Sequence, residues 1–295
     1  MAVDPSNSKE WGCITERILL PLRGFPAEQY AAHFALYQAE ASGAQVDIFH
    51  VEKQVLTPQF DFEKVLNPIR ETAETLGVVI SLKTIQGQSA REEIAKQLQK
   101  EPYDMIIMGS RRHRGLLPDF RTSNAVSVAK MKDRPCLVVV ETIRDPFEEY
   151  RPWKQRKIMV SLNKCDFTDD ISIRLASAMT SSSSTPDASI HGVRVVIVPD
   201  IVPLRAAKDF IREVEEDFLR CIGNYRQLLG RNIEPEIVFG HSEARALGYL
   251  ATKRDADLIC YGVRGSYSLA GKKIASIWEL NERSPPDCHV AYIFE

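Results

Sequence analysis

Phosphate binding is the chemistry for which this sequence comes closest to carrying the residues. Gly265 to Lys273 reads GSYSLAGKK and approaches a P-loop, but the step from Gly265 to Gly271 is one residue too long and Lys273 stands where a Ser or Thr belongs. A second basic loop carries Arg111, Arg112, His113, Arg114 and Arg121. Those guanidinium groups could form an anion pocket for a nucleotide or a cyclic dinucleotide, or they could be a solvated surface. The remaining sets are weaker. Glu213, Glu215, Glu216 and Asp217 fall on one helical stretch and fit a wet face better than paired-carboxylate catalysis. His241 sits beside a helix start, where capping is the simpler role. No Ser-His-Asp or Cys-His set can be argued from spacing, and no metal-ligand cluster appears. The six cysteines lie far apart without a C-x-x-C pair, which implies reduced structural thiols.

The two basic loops occupy equivalent places in an internal repeat. Asp104-Met-Ile-Ile-Met-Gly-Ser110 and Asp257-Leu-Ile-Cys-Tyr-Gly262 are short apolar runs that start at an Asp and stop at a Gly. Gly87 and Gly240 each precede the run's glycine by 22 residues, and Ser123 and Ser276 each follow it by 14. Matched positions at one constant offset of 153 residues imply a tandem repeat of one domain.

The elements around these runs alternate. The first copy predicts strands at Ile18–Leu22, Val46–Val51, Val78–Ile85, the central run, and Cys136–Val140. Helices are expected at Pro26–Ser42, Pro58–Gly77, Ser89–Lys100 (opened by the capping box Ser89-Ala-Arg-Glu92) and Ser123–Met131. The second copy restarts at Lys157–Leu162, with a helix opened by Asp166–Asp169 and a polar surface loop at 181–187. Strands follow at Val193–Val198, Ile233–Phe239 and Val290–Phe294, with helices at Ala206–Leu229 and Ser242–Arg254. Phe210, Val214, Phe218, Ile222 and Tyr225 make a helical stripe of core type. Continuous apolar strands alternating with helices call for α/β domains with doubly wound, mostly parallel, five-stranded sheets covered on both faces. The expected divisions are a disordered lead-in at 1–16, domain 1 at 17–141, a charged linker at 142–155 and domain 2 at 156–295.

Composition sets limits. The chain has 295 residues, 44% of them hydrophobic and 26% charged, and a net charge of −2. That length fits two cores, and the charge argues against a nucleic-acid partner held by bulk basicity. No apolar run approaches about 18 residues, so nothing is expected to insert in a membrane. The N-terminus lacks a signal-peptide pattern, which implies a cytoplasmic protein.

Both halves resemble universal stress protein domains, and the whole chain resembles the tandem form of that family. In the nucleotide-binding branch, the loop after strand 4 reads G-x-x-G-x9-G-[ST] and an Asp ends strand 1. Such glycines let the backbone close on phosphates beside a helix N-terminus. Carried over, the first copy matches at Gly109 and Ser123, but Arg112, Thr122 and Arg23 replace the second Gly, the third Gly and the Asp. The second copy matches at Gly262, Gly265 and Ser276, with Ala275 for the third Gly and Asn163 for the Asp. Val51 and Val198 stand where the family's backbone meets adenine. The resemblance thus implies an ATP/Mg or other adenine-nucleotide site more in domain 2 than in domain 1, where the Arg112 side chain would fill the phosphate space.

It further implies a binding or regulatory protein of the stress response, at most a weak ATPase. Strand 5 of each copy would pair across a pseudo-twofold within the chain, a pseudo-dimer that could form a homodimer in turn. The alternative is a cytoplasmic regulatory domain of a membrane transporter, tethered to the membrane through its parent chain, with a protein or transporter partner and no functional ATP site.

Overall fold

The computed structural model describes residues 15–25, 28–52, 62–111, 125, 128, 131, 136–142, 157–163, 167–181, 188–200, 211–263, 279–280, 283–285 and 288–294. The first half contributes β1 (Arg17–Leu22), α1 (Gln29–Ser42), β2 (Gln45–Glu52), α2 (Phe62–Leu76), β3 (Ile80–Gln86), α3 (Ala90–Lys100), β4 (Met105–Arg111) and β5 (Cys136–Thr142). The second contributes β6 (Lys157–Ser161), α4 (Phe167–Ser181), β7 (Ser189–Ile197), α5 (Ile211–Leu229), β8 (Ile233–Gly240), α6 (Glu243–Arg254), β9 (Leu258–Val263) and β10 (His289–Phe294). The expected helix at Ser123–Met131 and the loop at 182–187 lie largely or wholly outside the described residues.

The repeated signatures have matching structural causes. Asp104 Oδ2 accepts hydrogen bonds from the backbone N–H of Glu16 (2.8 Å) and Arg17 (3.0 Å), and Asp257 Oδ2 accepts one from Lys157 N–H (3.0 Å). Each Asp therefore fastens the start of its half's first strand to the central strand. Gly87 and Gly240 sit at strand ends where the chain turns into a helix. A Cβ would lie 2.8 Å from Glu93 Cγ at Gly87 and 2.9 Å from Ala246 Cβ at Gly240. The serines two residues on, Ser89 and Ser242, cap α3 and α6 by accepting from Glu92 N–H and Arg245 N–H.

All ten strands form one sheet, in the order β3-β2-β1-β4-β5-β10-β9-β6-β7-β8. Pairs within each half are parallel, whereas β5 and β10 pair antiparallel with Val139 opposite Tyr292 and Leu137 opposite Phe294. The two five-stranded sheets expected from sequence are thus fused edge to edge, which removes two exposed edges at once. The core has two layers. One runs unbroken through both halves, from Ile18, Ile48 and Phe34 to Ile158, Ile190 and Phe218. The other lies under α3 and α6 and holds Ile94, Leu137, Leu247, Tyr292 and Phe294.

Helix α1 lies against the sheet, α2 and α4, so it is buried almost all round and carries little amphipathic signal. Its polar residues Gln29, His33 and Gln38 are buried too, and Gln38 Nε2 donates to the carbonyl of Leu175 on α4 (2.8 Å). The α5 stripe behaves as expected at Phe218, Ile222 and Tyr225, all buried.

Two expectations change. Strand β7 begins at Ser189, four residues before Val193, because Gly192 admits Ile222, which would lie 2.6 Å from any Cβ there. Among the cysteines of the described residues, Cys136, Cys260 and Cys288 are outside any disulfide, but Cys221 is disulfide-bonded.

Candidate functional site

Ligands of open α/β sheets bind beyond the carboxyl ends of the strands, where the strand order reverses. Here those switch points fall between β1 and β4 and between β6 and β9. Around the first stand Arg23, Val51 and Gly109; around the second stand Asn163, Val198 and Gly262. Arg112, Ser123, Gly265 and Ser276 lie outside the described residues, as do His113, Arg114 and Arg121.

The first cleft contains a side chain of its own. Glu28 Oε2 accepts hydrogen bonds from three consecutive backbone N–H groups, those of Arg23 (2.6 Å), Gly24 (2.9 Å) and Phe25 (3.2 Å). Such a run of amides at the turn from strand to helix is an anion nest. Gly109 packs beside this occupant: a Cβ there would make ordinary van der Waals contact with Glu28 Cγ (3.5 Å) and Ala31 Cβ (3.6 Å). Gly24 adopts a φ of 100°, which lets the loop turn its amides inward. Burial raises the Glu28 carboxyl above its ordinary range, and the three amide bonds oppose that rise without cancelling it. Nearby, His50 Nδ1 donates to the carbonyl of Leu22 (3.0 Å), and its ring stacks on Phe62 (3.9 Å).

The second cleft is organised differently. Asn163, at the position where the resemblance expects an Asp, ties three elements together. Its Oδ1 accepts from Val195 N–H (3.0 Å), and its Nδ2 donates to Ser161 Oγ (3.2 Å) and to Glu243 Oε1 at the first turn of α6. The buried Ser161 hydroxyl also donates to Glu243 (2.9 Å). Val198 holds the edge of the site: its N–H donates to Gly240 O (2.9 Å) and its carbonyl accepts from His241 Nδ1 (2.8 Å). Next to the cap of α6, Glu279 accepts from Ser242 Oγ (2.5 Å) and pairs with Arg245, which together hold its carboxyl below the usual range. Among the described residues no group of three or more His, Cys, Asp or Glu could hold a metal ion.

Sequence reasoning placed Asn163, Val198 and Gly262 on one edge of the second half and Val51 and Gly109 on one edge of the first. It missed Glu28 and Glu243. A signal for Glu28 was present: an acidic residue shortly after a strand ending in Arg23-Gly24, at the start of a helix.

Residues 15–140 match the sequence model of the Universal stress protein family. Among solved structures, the chain is similar to a protein of unknown function from Pseudomonas aeruginosa at 16% identity and a TM-score of 0.57. That match covers 97% of this chain and 94% of the other. It is also similar to a universal stress protein from Archaeoglobus fulgidus at 17% identity and a TM-score of 0.53, covering 94% and 97%. No curated protein matches the chain by sequence. Residues 15–140 therefore form a universal stress protein domain, and the chain as a whole has the tandem, two-domain form of that fold.

Proposed function

We propose that this chain is a regulatory binding protein of the universal stress type, that its second half senses an adenine nucleotide, and that its first half serves as a closed partner domain. The contrast between the two clefts supports this. In the first, the amide nest is already filled by the Glu28 carboxylate, so a phosphate would have to displace an anion of the protein itself. In the second, Asn163 and Glu243 are hydrogen-bonded to each other and to Ser161 and Val195, and so brace the strand and helix ends as a rigid polar floor to the cleft. A polar floor there suits a ribose or an adenine edge, and by sequence the neighbouring stretch with Arg264, Lys272 and Lys273 suits the phosphates.

Thermal shift with Mg-ATP and AMP tests the reading. Saturating nucleotide should raise the melting temperature, because a ligand that binds only the folded chain stabilises it by mass action. Gly265→Arg should abolish the shift and Arg112→Gly should leave it intact. A melting temperature indifferent to both nucleotides overturns the proposal.

A further inference from the structure

The antiparallel pairing of β5 with β10 leaves β3 and β8 as the two ends of the sheet, and these ends are built very differently. An open strand edge presents unpaired N–H and C=O groups that template another strand unless something blocks them. On β8, Gly240 O accepts from Val198 N–H, so the even-numbered residues face β7 and Ile233, Pro235, Ile237 and Phe239 face outward. Two of those four are blocked. Pro235 has no N–H to offer, and the Ile233 carbonyl is capped by the Arg226 guanidinium, with Nε at 2.9 Å and Nη2 at 2.6 Å. The exposed Glu234 adds charge beside them.

Strand β3 lacks these devices. Val79 O accepts from Val46 N–H and Gly87 N–H donates to Glu52 O, so the odd-numbered residues face β2. The backbone groups of Ile80, Leu82, Thr84 and Gln86 face outward, and among the described residues no side chain caps them. The charge on this strand is Lys83, and its ammonium turns back onto α3, donating to Gln97 (2.8 Å) and Glu101 (3.3 Å). Large apolar side chains stay exposed at this end, with Val79 at 65% and Leu82 at 41%.

We propose that β3 is a self-association edge, where a second copy of this chain adds its own β3 antiparallel about a twofold axis at Leu82. The sequence is self-complementary in that register. Leu82 meets Leu82 of the second copy, and Ile80 meets Thr84, each pair exchanging both N–H···O bonds. Ser81 meets Lys83 and Val79 meets Ile85, so no like charges face each other. Moving the axis to Lys83 would set lysine against lysine. The chain already joins its own halves by this kind of edge pairing, at β5 and β10.

Sedimentation velocity on the full chain across a concentration series tests the proposal, independently of any nucleotide. The expected result is a species of twice the chain mass that grows with concentration. Leu82→Pro removes an N–H that points away from β2, so the fold should persist by circular dichroism while the dimer is lost. Leu82→Lys, at a half-exposed position that does not threaten the core, should do the same by placing two lysines together. A chain that stays monomeric at every concentration overturns the proposal, as does a dimer that survives both substitutions.

Discussion

Glu28 shows how one side chain decides what a cleft can hold. Its folded pKa is raised, so the native protein binds that proton more tightly than the unfolded chain does. The cost of ionising it therefore grows as pH rises from the ordinary carboxylate range to the raised value, and is constant beyond. Glu28→Gln, which keeps an acceptor oxygen, should gain stability relative to the wild-type chain over that window in denaturant titrations at several pH values. Glu28→Ala should instead lose about 1–3 kcal/mol, because three amides are left without an acceptor. His33 works with the opposite sign on acidification. Burial lowers it from 6.5 to about 4, so the native state resists its protonation. Stability should fall as pH drops from 6.5 towards 4, and His33→Gln should flatten that part of the profile measured by thermal melting. At the amino ends of the same strands, Arg17 pairs with Asp47 and with Glu101 (2.6 Å), and Ser81 donates to Asp47 (2.6 Å). Hydrogen bonds from Arg17, Gln97 and Lys83 hold Glu101 down to about 2. That cluster contributes to the stability of the first half above the ordinary carboxylate range, a contribution lost as pH falls towards about 2. None of these three buried or clustered groups stood out in the sequence, because a lone Glu, His or Arg carries no periodic signal of what it will face.

At the scale of elements, the sequence was most legible where two neighbours impose one pattern. Buried parallel strands such as β4 and β9 appear as continuous apolar runs bounded by Asp and Gly; the Asp has the same structural cause in each half, as do Gly87 and Gly240 upstream of the runs. Legibility fails where a partner beyond the local chain sets the environment. Helix α1 buries His33 and Gln38 because α4 covers it, and β7 extends through Gly192 because α5 lies close above it. Helix α6 makes a comparable approach. A Cβ at Gly248 would lie 2.6 Å from Arg283 Cβ and 2.9 Å from its backbone carbon and oxygen, which cannot rotate aside. Gly248→Ala should thus cost about 1–3 kcal/mol in denaturant unfolding, through displacement of α6 or of the segment at 283–285. The two basic loops, with Arg112, Ser123, Gly265 and Ser276, are legible by motif and lie outside the described residues.

Across the whole molecule, one sheet and one unbroken core layer bind the two halves together. Tyr292 is fully buried at the junction, opposite Val139 and edge-on to Tyr261 with ring centroids 6.2 Å apart. Tyr292→Ala should cost about 3–5 kcal/mol. Because the loss falls on the seam, the calorimetric transition should also separate into two, while the unaltered chain unfolds in one; a single, merely shifted transition would show that the halves are coupled elsewhere. The antiparallel seam has another consequence. Reversing strand direction at β5 and β10 sends the carboxyl ends of the two half-sheets to opposite rims, so the two clefts open at opposite poles of the molecule. No small ligand can bridge them, and a flat surface meeting one pole leaves the other facing away. A change confined to one cleft is therefore felt at the other only through the shared sheet and the core layer beneath it.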